Sequence, residues 1–294
     1  MLGAQLKKTY CIIKKESLIM KVNIKKVFTY IFVIILALVW LVPIAALVLS
    51  ALKSPEVFTS QKFYELPKTI SIISNLKNVF KQYKLYEYFG NSLIYAVAGG
   101  GIAIIVSSIA GFSLIRLKPR FSLILFLIIY SANLFPFQMY ILPVFKLFNK
   151  IGLYDTRLGM ILIYTALCIP LSLFIYRGFY TTIPKEIEDA AKIDGCGPIK
   201  LYTRIFLPQS IAPTAVVALF QMTWIWNDLL FGMVLTQSDN TRPVMVSLMS
   251  MSGESGVVIP YLMTGIIFTS IPTVALFILL KRHFISGMVL SYRL

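Results

Sequence analysis

Long apolar runs constrain the fold of this chain more than any other feature. Six segments consist almost entirely of aliphatic, aromatic and small residues. About 20 such residues, at 1.5 Å of helical rise each, cross the roughly 30 Å hydrocarbon layer of a membrane. Backbone amides in that layer must be hydrogen-bonded within the segment, which favours helices over single strands. The sequence therefore predicts an all-α polytopic membrane protein with six transmembrane helices, at residues 27–50, 91–115, 121–148, 158–180, 211–235 and 259–280.

The basic charge of the chain agrees with a membrane protein. Of all residues 58% are hydrophobic and only 14% are charged, whereas about a quarter are charged in soluble domains. Nucleic-acid binding would be one explanation of the net charge of +16. However, lysines and arginines concentrate before the first segment, after the second and fourth, and at the chain end, and such residues mark cytoplasmic loops. We therefore expect both termini in the cytoplasm and no nucleic-acid partner.

The chain divides into three predicted regions. Residues 1–26 form a basic cytoplasmic segment, residues 27–288 the six-helix domain, and residues 289–294 a short cytoplasmic tail. The first apolar run is longer than the core of a signal peptide, so we predict a retained span. Met1 and Met20 are both compatible with the start of translation. The three cysteines and the single histidine form no cluster, so neither a disulfide framework nor a metal site is predicted.

A polar segment at residues 181–208 separates the fourth and fifth apolar runs. Pro184 suits the start of a helix, Gly195 a left-handed stop, and Pro198 the start of a second helical stretch. Pairs of opposite charge along the first helix contribute only about 0.3 to 0.5 kcal/mol each, too little to explain a short rigid helix. Helical spacing places Ile187, Ala190, Ala191 and Asp194 on one face. This narrow face predicts a docking surface for a cytoplasmic partner.

The same segment carries a spaced motif. An acidic residue is followed by two alanines, then by Gly195, and then by an Ile-x-Leu-Pro sequence. This pattern resembles the EAA loop of the membrane subunits of binding-protein-dependent ABC importers, in particular the MalG-like, carbohydrate-type branch. The sequences "WNDLLFGMVLT" and "RHFISGM" are also similar to that family, and the resemblance extends over residues 27–288. It implies the type I ABC importer permease fold, in which this loop is the coupling helix that docks on an ATPase.

The resemblance implies a set of coupling residues. The family usually has Glu where this chain has Asp189, and both Asp189 and Glu188 remain candidates for the acidic contact with the ATPase. The full set is Glu186, Glu188, Asp189, Ala190, Ala191, Asp194, Gly195, Ile205, Leu207 and Pro208.

Partners and location follow from the same resemblance. It implies a second, homologous permease subunit in a heterodimer, two ABC ATPase subunits, an extracytoplasmic solute-binding protein and the lipid of a bacterial or archaeal cytoplasmic membrane. This chain has no GxxxxGK[ST] motif, so ATP and Mg are expected on the ATPase, and the chain itself is expected to be non-catalytic and without a cofactor. The expected substrate is a sugar or oligosaccharide. A non-sugar solute and an ion-coupled secondary transporter are the alternatives.

Polar residues inside the apolar runs are candidates for the substrate path. A carboxylate in a span is costly, so Asp228 either pairs with another helix or faces a wet path. Interhelical hydrogen bonding is the alternative for the amides. The candidates are Asn133, Gln138, Tyr140, Gln221, Trp226, Asn227 and Asp228.

Two glycine-containing stretches have different interpretations. Residues 98–103, "AGGGIA", predict close packing between helices. The outer "SGESG" is either a flexible turn or, by the resemblance, a contact with the binding protein. Its residues are Ser252, Gly253, Glu254, Ser255 and Gly256.

Overall fold

A computed structural model describes residues 24–60, 62, 64–67, 69–252 and 258–291 of the chain, the side chains of 24, 25 and 283–291 excepted. All regular structure in these ranges is helical, which confirms the all-α prediction. The helices are α1 (Ile24–Leu52), α2 (Pro55–Ser60), α3 (Ile72–Tyr83), α4 (Leu85–Phe112), α5 (Ser122–Ser131), α6 (Ile141–Ile151), α7 (Arg157–Thr182), α8 (Lys185–Ile193), α9 (Pro198–Gln209), α10 (Ile211–Asn227), α11 (Leu230–Leu235), α12 (Val244–Ser250) and α13 (Ile259–Ser291).

Several of these helices can cross a membrane. Among the described residues, four helices are long and apolar enough, and a fifth span results if the bent pair of α9 and α10 is counted as one. The predicted count of six and the cytoplasmic position of the termini stay predictions. So do the three predicted regions, because residues 1–23 and 292–294 lie outside the described ranges.

The third predicted span, residues 121–148, is not one continuous helix. Helix α5 ends at Ser131, a 3-10 turn follows, and Phe135 is extended, with φ −89° and ψ 127°. Proline restricts the residue before it to extended conformations and lacks an N–H for the helix, so Pro136 accounts for this break. The chain resumes a regular helix at Ile141.

The fifth predicted span, residues 211–235, also ends early. Helix α10 stops at Asn227, and Asp228 is extended, with φ −70° and ψ 127°. The Asp228 carboxylate accepts the N–H groups of Phe231 and Gly232 at 3.1 and 3.2 Å. It thereby satisfies the first amides of α11, which an aspartate does well at a helix start.

Helices α4 and α7 form the centre of the bundle. A Cβ atom added at Gly99 would lie 3.2 Å from Cβ of Tyr164, and one at Gly111 would lie 3.1 Å from Cβ of Tyr176. Thr165 donates to the Gly99 carbonyl at 3.2 Å. Small residues let helix backbones approach closely in membranes, so the close packing predicted for residues 98–103 is confirmed.

Helices α1, α3 and α13 lie on one flank of this centre. The amide of Asn75 donates to the carbonyls of Ala51 and Lys53 at 2.9 and 2.8 Å and so satisfies the last turn of α1. Phe80 of α3 meets Phe268 of α13 edge to face, with centroids 5.0 Å apart. Most of α1 is exposed along its apolar length, as expected of a helix in contact with lipid or a partner.

Candidate functional site

The docking segment is bounded as the sequence predicts. Pro184 precedes the first residue of α8. Gly195 follows the helix with φ +74°, and the amide of Cys196 donates to the Ala191 carbonyl at 2.9 Å. This hydrogen bond satisfies a carbonyl of the last turn that has no partner within the helix. Glycine adopts the left-handed conformation without a steric penalty, because it has no Cβ atom. Pro198 then opens α9.

Helix α8 has an exposed and a buried face. The exposed residues include Glu186, Asp189 and Ala190, whereas Glu188 and Ala191 are buried. The predicted docking face is therefore wrong for Ala191, whereas its other members, Ile187, Ala190 and Asp194, are exposed. Ala191 packs against a buried cluster that contains Tyr180 and Phe206, because the helix lies on the bundle with that side.

The two acidic candidates differ in their exposure and partners. One oxygen of Glu188 lies 3.2 Å from the Arg116 guanidinium, and the other lies 2.7 Å from Nζ of Lys192. The hydrogen bond to Glu188 raises the pKa of the exposed Lys192. Asp189 is exposed on the outer face of α8. Of the two, Asp189 is therefore the acidic residue that a docking partner can reach.

The second half of the segment runs into a sharp bend. Ile205 is half-buried, and Leu207 and Pro208 are exposed. The chain changes direction by 71° between α9 and α10. The Ser210 hydroxyl lies at this bend, 2.6 Å from the Phe206 carbonyl and 3.0 Å from the Tyr180 hydroxyl. The bend is thus tied to the inner end of α7.

A cavity of about 960 Å³ opens beside α10 in the membrane region. Three predicted path residues line it: Gln138, Asn227 and Asp228. The remaining lining residues, which the sequence did not single out, are Phe137, Leu219, Phe220, Thr223, Trp224, Leu229, Leu230, Thr273, Val274 and Phe277.

The other path candidates lie elsewhere. The Gln221 amide donates to the Cys168 carbonyl at 3.1 Å, and the Trp226 indole donates to the Thr269 carbonyl at 3.0 Å. Both side chains therefore join α10 to neighbouring helices. Asn133 and Tyr140 are outside the cavity lining, and Tyr140 packs towards the Phe231 ring, with centroids 6.4 Å apart.

Asp228 has a structural partner as well as a place in the cavity wall. The Tyr164 hydroxyl donates to its carboxylate at 2.9 Å, from a side chain that is completely buried. Pairing with another helix, one of the two roles expected for Asp228, is therefore confirmed. Tyr164 was missed because nothing in the sequence marks one tyrosine of α7 as the partner of a distant acid.

These features define a class. A bundle of apolar helices joins a membrane cavity to an exposed two-helix segment at its predicted cytoplasmic end, as expected of a permease subunit. The chain belongs to the family of binding-protein-dependent transport system inner membrane components, whose profile matches residues 103–289. It is a multi-pass permease subunit of an ABC importer, and the resemblance of its EAA-like loop is confirmed at the level of the family.

Individual relatives agree with this assignment. An ABC transporter permease protein of Caldicellulosiruptor sp. (strain Rt8B.4) is 30% identical over 88% of this chain and 94% of its own length. The melibiose/raffinose/stachyose import permease MelC of Bacillus subtilis is 28% identical over 86% of this chain and 91% of its own. A subunit of a bacterial ABC transporter that imports the acidic polysaccharide alginate shares the fold, with a TM-score of 0.77 at 20% identity, over 89% of this chain and 97% of that one.

Proposed function

We propose that this permease subunit imports a sugar or oligosaccharide. The observation that carries the proposal is the chemistry of the cavity wall. Gln138, Asn227 and Trp224 all line the cavity, and their side chains offer two amides and an aromatic ring. Amides pair with hydroxyl groups, and apolar ring faces suit the C–H faces of a sugar. MelC, a relative over most of the chain, imports sugars of this kind.

One hydroxyl group in the cavity wall supports a polar cargo. The Thr223 oxygen is buried and has no hydrogen-bond partner among the described residues, and Thr223 lines the cavity. A buried polar atom without a partner is costly unless water or a ligand satisfies it. If the Thr223 side chain turned towards the cavity, a passing sugar hydroxyl would supply the missing partner.

ATP hydrolysis on a partner subunit would act on this permease through the docking segment, α8 and α9. Ile193 of α8 and Ile199 of α9 are 87% and 79% exposed, and Asp189, about one helical turn before Ile193, is exposed as well. Exposed apolar side chains beside a charge are typical of a surface that binds another protein. We propose an ATPase subunit as its partner, with ATP and Mg held there and not on this chain.

The complete transporter would contain further subunits. A second, homologous permease subunit would close the cavity from the other side, two ATPases would bind the two docking segments, and a solute-binding protein would deliver the cargo from outside. The chain would reside in the cytoplasmic membrane of a bacterium or archaeon. Ser252 would lie near the binding protein, and Gly253, Glu254, Ser255 and Gly256 lie outside the described residues.

The substrate class can be tested on the soluble partner. A binding protein captured with the purified permease is heated with melibiose, raffinose, stachyose, maltose or arabinotriose, and with glutamate and glycine betaine as non-sugar controls. We expect at least one sugar to raise its melting temperature, because a ligand that binds only the folded state stabilises it. Stabilisation by a control compound alone would contradict the sugar assignment.

Coupling can be tested with two matched glycine substitutions. Gly195 and Gly152 both have φ +74° and open space around the Cβ position, but Gly152 follows α6 at the opposite end of the bundle. We expect Gly195→Asp and Gly152→Asp to insert equally well, with only Gly195→Asp losing ATP-driven uptake of the sugar found above. Normal uptake by Gly195→Asp would rule out α8 as the coupling helix.

A further inference from the structure

Arg116 is the residue on which the inner ends of four elements converge. It lies in a π turn that continues α4, Ser113–Leu117, and its side chain is only 6% exposed. One of its terminal nitrogens donates to the carbonyls of Tyr180 and Ile183 at 2.9 and 2.6 Å. These carbonyls belong to the last turn of α7 and the residue that follows that helix.

The other terminal nitrogen of Arg116 holds the docking helix. It lies 3.2 Å from the buried carboxylate of Glu188 in α8. The face of the guanidinium lies over the Phe206 ring of α9, 5.0 Å from its centroid. A planar, forked cation can make all these contacts at once, whereas a lysine offers only a point charge.

The geometry identifies Arg116 as a positioning residue. We propose that the Arg116–Glu188 pair is a rigid joint, which makes α8 move together with the inner end of α4 when the ATPase moves the docking helix. This inference rests on the proposed function of α8 as the coupling helix. It assigns Glu188 an internal role and leaves the contact with the ATPase to Asp189.

The packing of α4 extends the joint towards the cavity. Gly111 lies against the Tyr176 backbone of α7, and Gly100 lies against Met222 of α10, 2.9 Å from a built Cβ. Close-packed interiors transmit displacement because they compress little. A displacement of Arg116 would therefore be passed to α10, whose last residue, Asn227, lines the cavity.

A purely structural anchor and a joint respond differently when the Arg116–Glu188 pair is broken. A substitution that removes one partner of a buried ion pair leaves the other charge uncompensated. If such a variant lost both membrane insertion and transport activity, the pair would be a structural anchor and not a joint. The joint predicts a different pattern, in which the altered transporter assembles and hydrolyses ATP but no longer moves at the cavity.

The test uses the complete transporter in nanodiscs, purified with its ATPase and binding protein, and ATP with Mg and then vanadate as the probe. Spin labels at Met139 and Ile271, both exposed and close in sequence to the lining residues Gln138 and Thr273, report the movement in a cysteine-free background. In Glu188→Gln we expect ATP hydrolysis within about twofold of wild type. The ratio of the ATP-driven to the resting distance population should fall about tenfold, within the range typical of coupling between sites. A wild-type distance change in Glu188→Gln would overturn the joint.

Two controls separate the pair from its surroundings. Lys192→Met removes the exposed partner of the same carboxylate, and Lys185→Gln removes another exposed charge of the same helix; both should keep the wild-type distance change. Arg116→Gln combined with Glu188→Gln should lose no more movement than the worse single variant, because residues that act as one unit are not additive. Additive losses would contradict the proposal.

A second measurement does not depend on the stability of these variants. Labels at Leu117 and Ile187, 52% and 40% exposed, span the joint in otherwise wild-type protein. We expect one narrow distance that is the same with and without ATP. A distance that changes with ATP would overturn the joint but not the coupling role of α8, whereas ATP hydrolysis with no wild-type movement at the cavity would overturn the proposed function itself.

Discussion

At the scale of single residues, polar side chains in this chain mainly fasten segments to one another. Asp155, in the loop between α6 and α7, accepts the amides of Gln237 and Ser238 at 2.8 and 3.0 Å. Its backbone has φ +54°, a conformation that Asp and Asn tolerate better than most residues. Asp155 thereby holds the loop after α11 against the start of α7.

The Asp155 contacts predict acid sensitivity. Burial alone would raise the pKa of Asp155, but the amides of Gln237 and Ser238 and the Thr241 hydroxyl outweigh it, so the pKa is lowered. A lowered folded-state pKa means that the stabilisation is complete above the unfolded value, about 3.9, and is lost as the pH falls through the folded value. We expect Asp155→Asn to melt at a lower temperature than wild type at pH 7, because a neutral amide oxygen accepts these hydrogen bonds less strongly than a carboxylate.

Thermal melting in detergent at pH 7 and at pH 3 checks this prediction. The difference between wild type and Asp155→Asn should shrink at pH 3, below the unfolded pKa of about 3.9, because the carboxyl of the unfolded chain is then largely protonated. Glu186→Gln, a change at an exposed residue of α8, serves as the control and should leave the melting temperature unchanged at both pH values. An equal difference at both pH values would mean that the charge of Asp155 contributes nothing.

At the scale of helices, the α4–α7 contact depends on glycine. A Cβ at Gly111 would lie 3.1 Å from Tyr176 Cβ and 3.2 Å from the Arg177 nitrogen, whereas Gly101 of the same helix has open space. Extra volume in a packed contact typically costs about 1 to 3 kcal/mol. We expect Gly111→Val to lower the melting temperature and Gly101→Val to have little effect.

The same comparison distinguishes packing from helix propensity. Both substitutions replace glycine by the same β-branched residue in one helix, so propensity affects them equally. Equal destabilisation would show that the α4–α7 distance adjusts freely and that Gly111 has no special role. Melting of the purified chain in detergent is sufficient, because the contact lies within one subunit.

At the scale of the whole molecule, the source of energy separates the importer from a secondary transporter. The described residues place one acid, Asp228, at the end of α10, and its carboxylate is engaged by Tyr164. Ion-coupled carriers use ionisable groups that are free to bind the ion. We expect uptake of the labelled sugar into cells to stop on ATP depletion and to persist when a protonophore is added with ATP maintained. The opposite pattern would favour ion coupling.

Local signals in the sequence were enough for much of the fold and of the docking segment. Apolar runs gave the helical class, since backbone groups in lipid have no other partners. Pro184, Gly195 and Pro198 gave the bounds of α8 and α9, because these residues restrict or free the backbone at their own positions. The third and fifth runs were predicted as spans. Pro136 marks the first break in the sequence, whereas the break at Asp228 appears only in the structure.

What the sequence alone determined is the class of protein and the position of its docking helix, since length, hydropathy and backbone preference are properties of neighbouring residues. Only the tertiary structure decided how Glu188 and Asp189 divide their roles. Glu188 is buried because Arg116, distant in sequence, meets it at the end of α4. Tyr164 and Asp228 are likewise brought together only by the tertiary structure. Such pairs form where helices cross, and these crossings depend on the packing of the whole bundle.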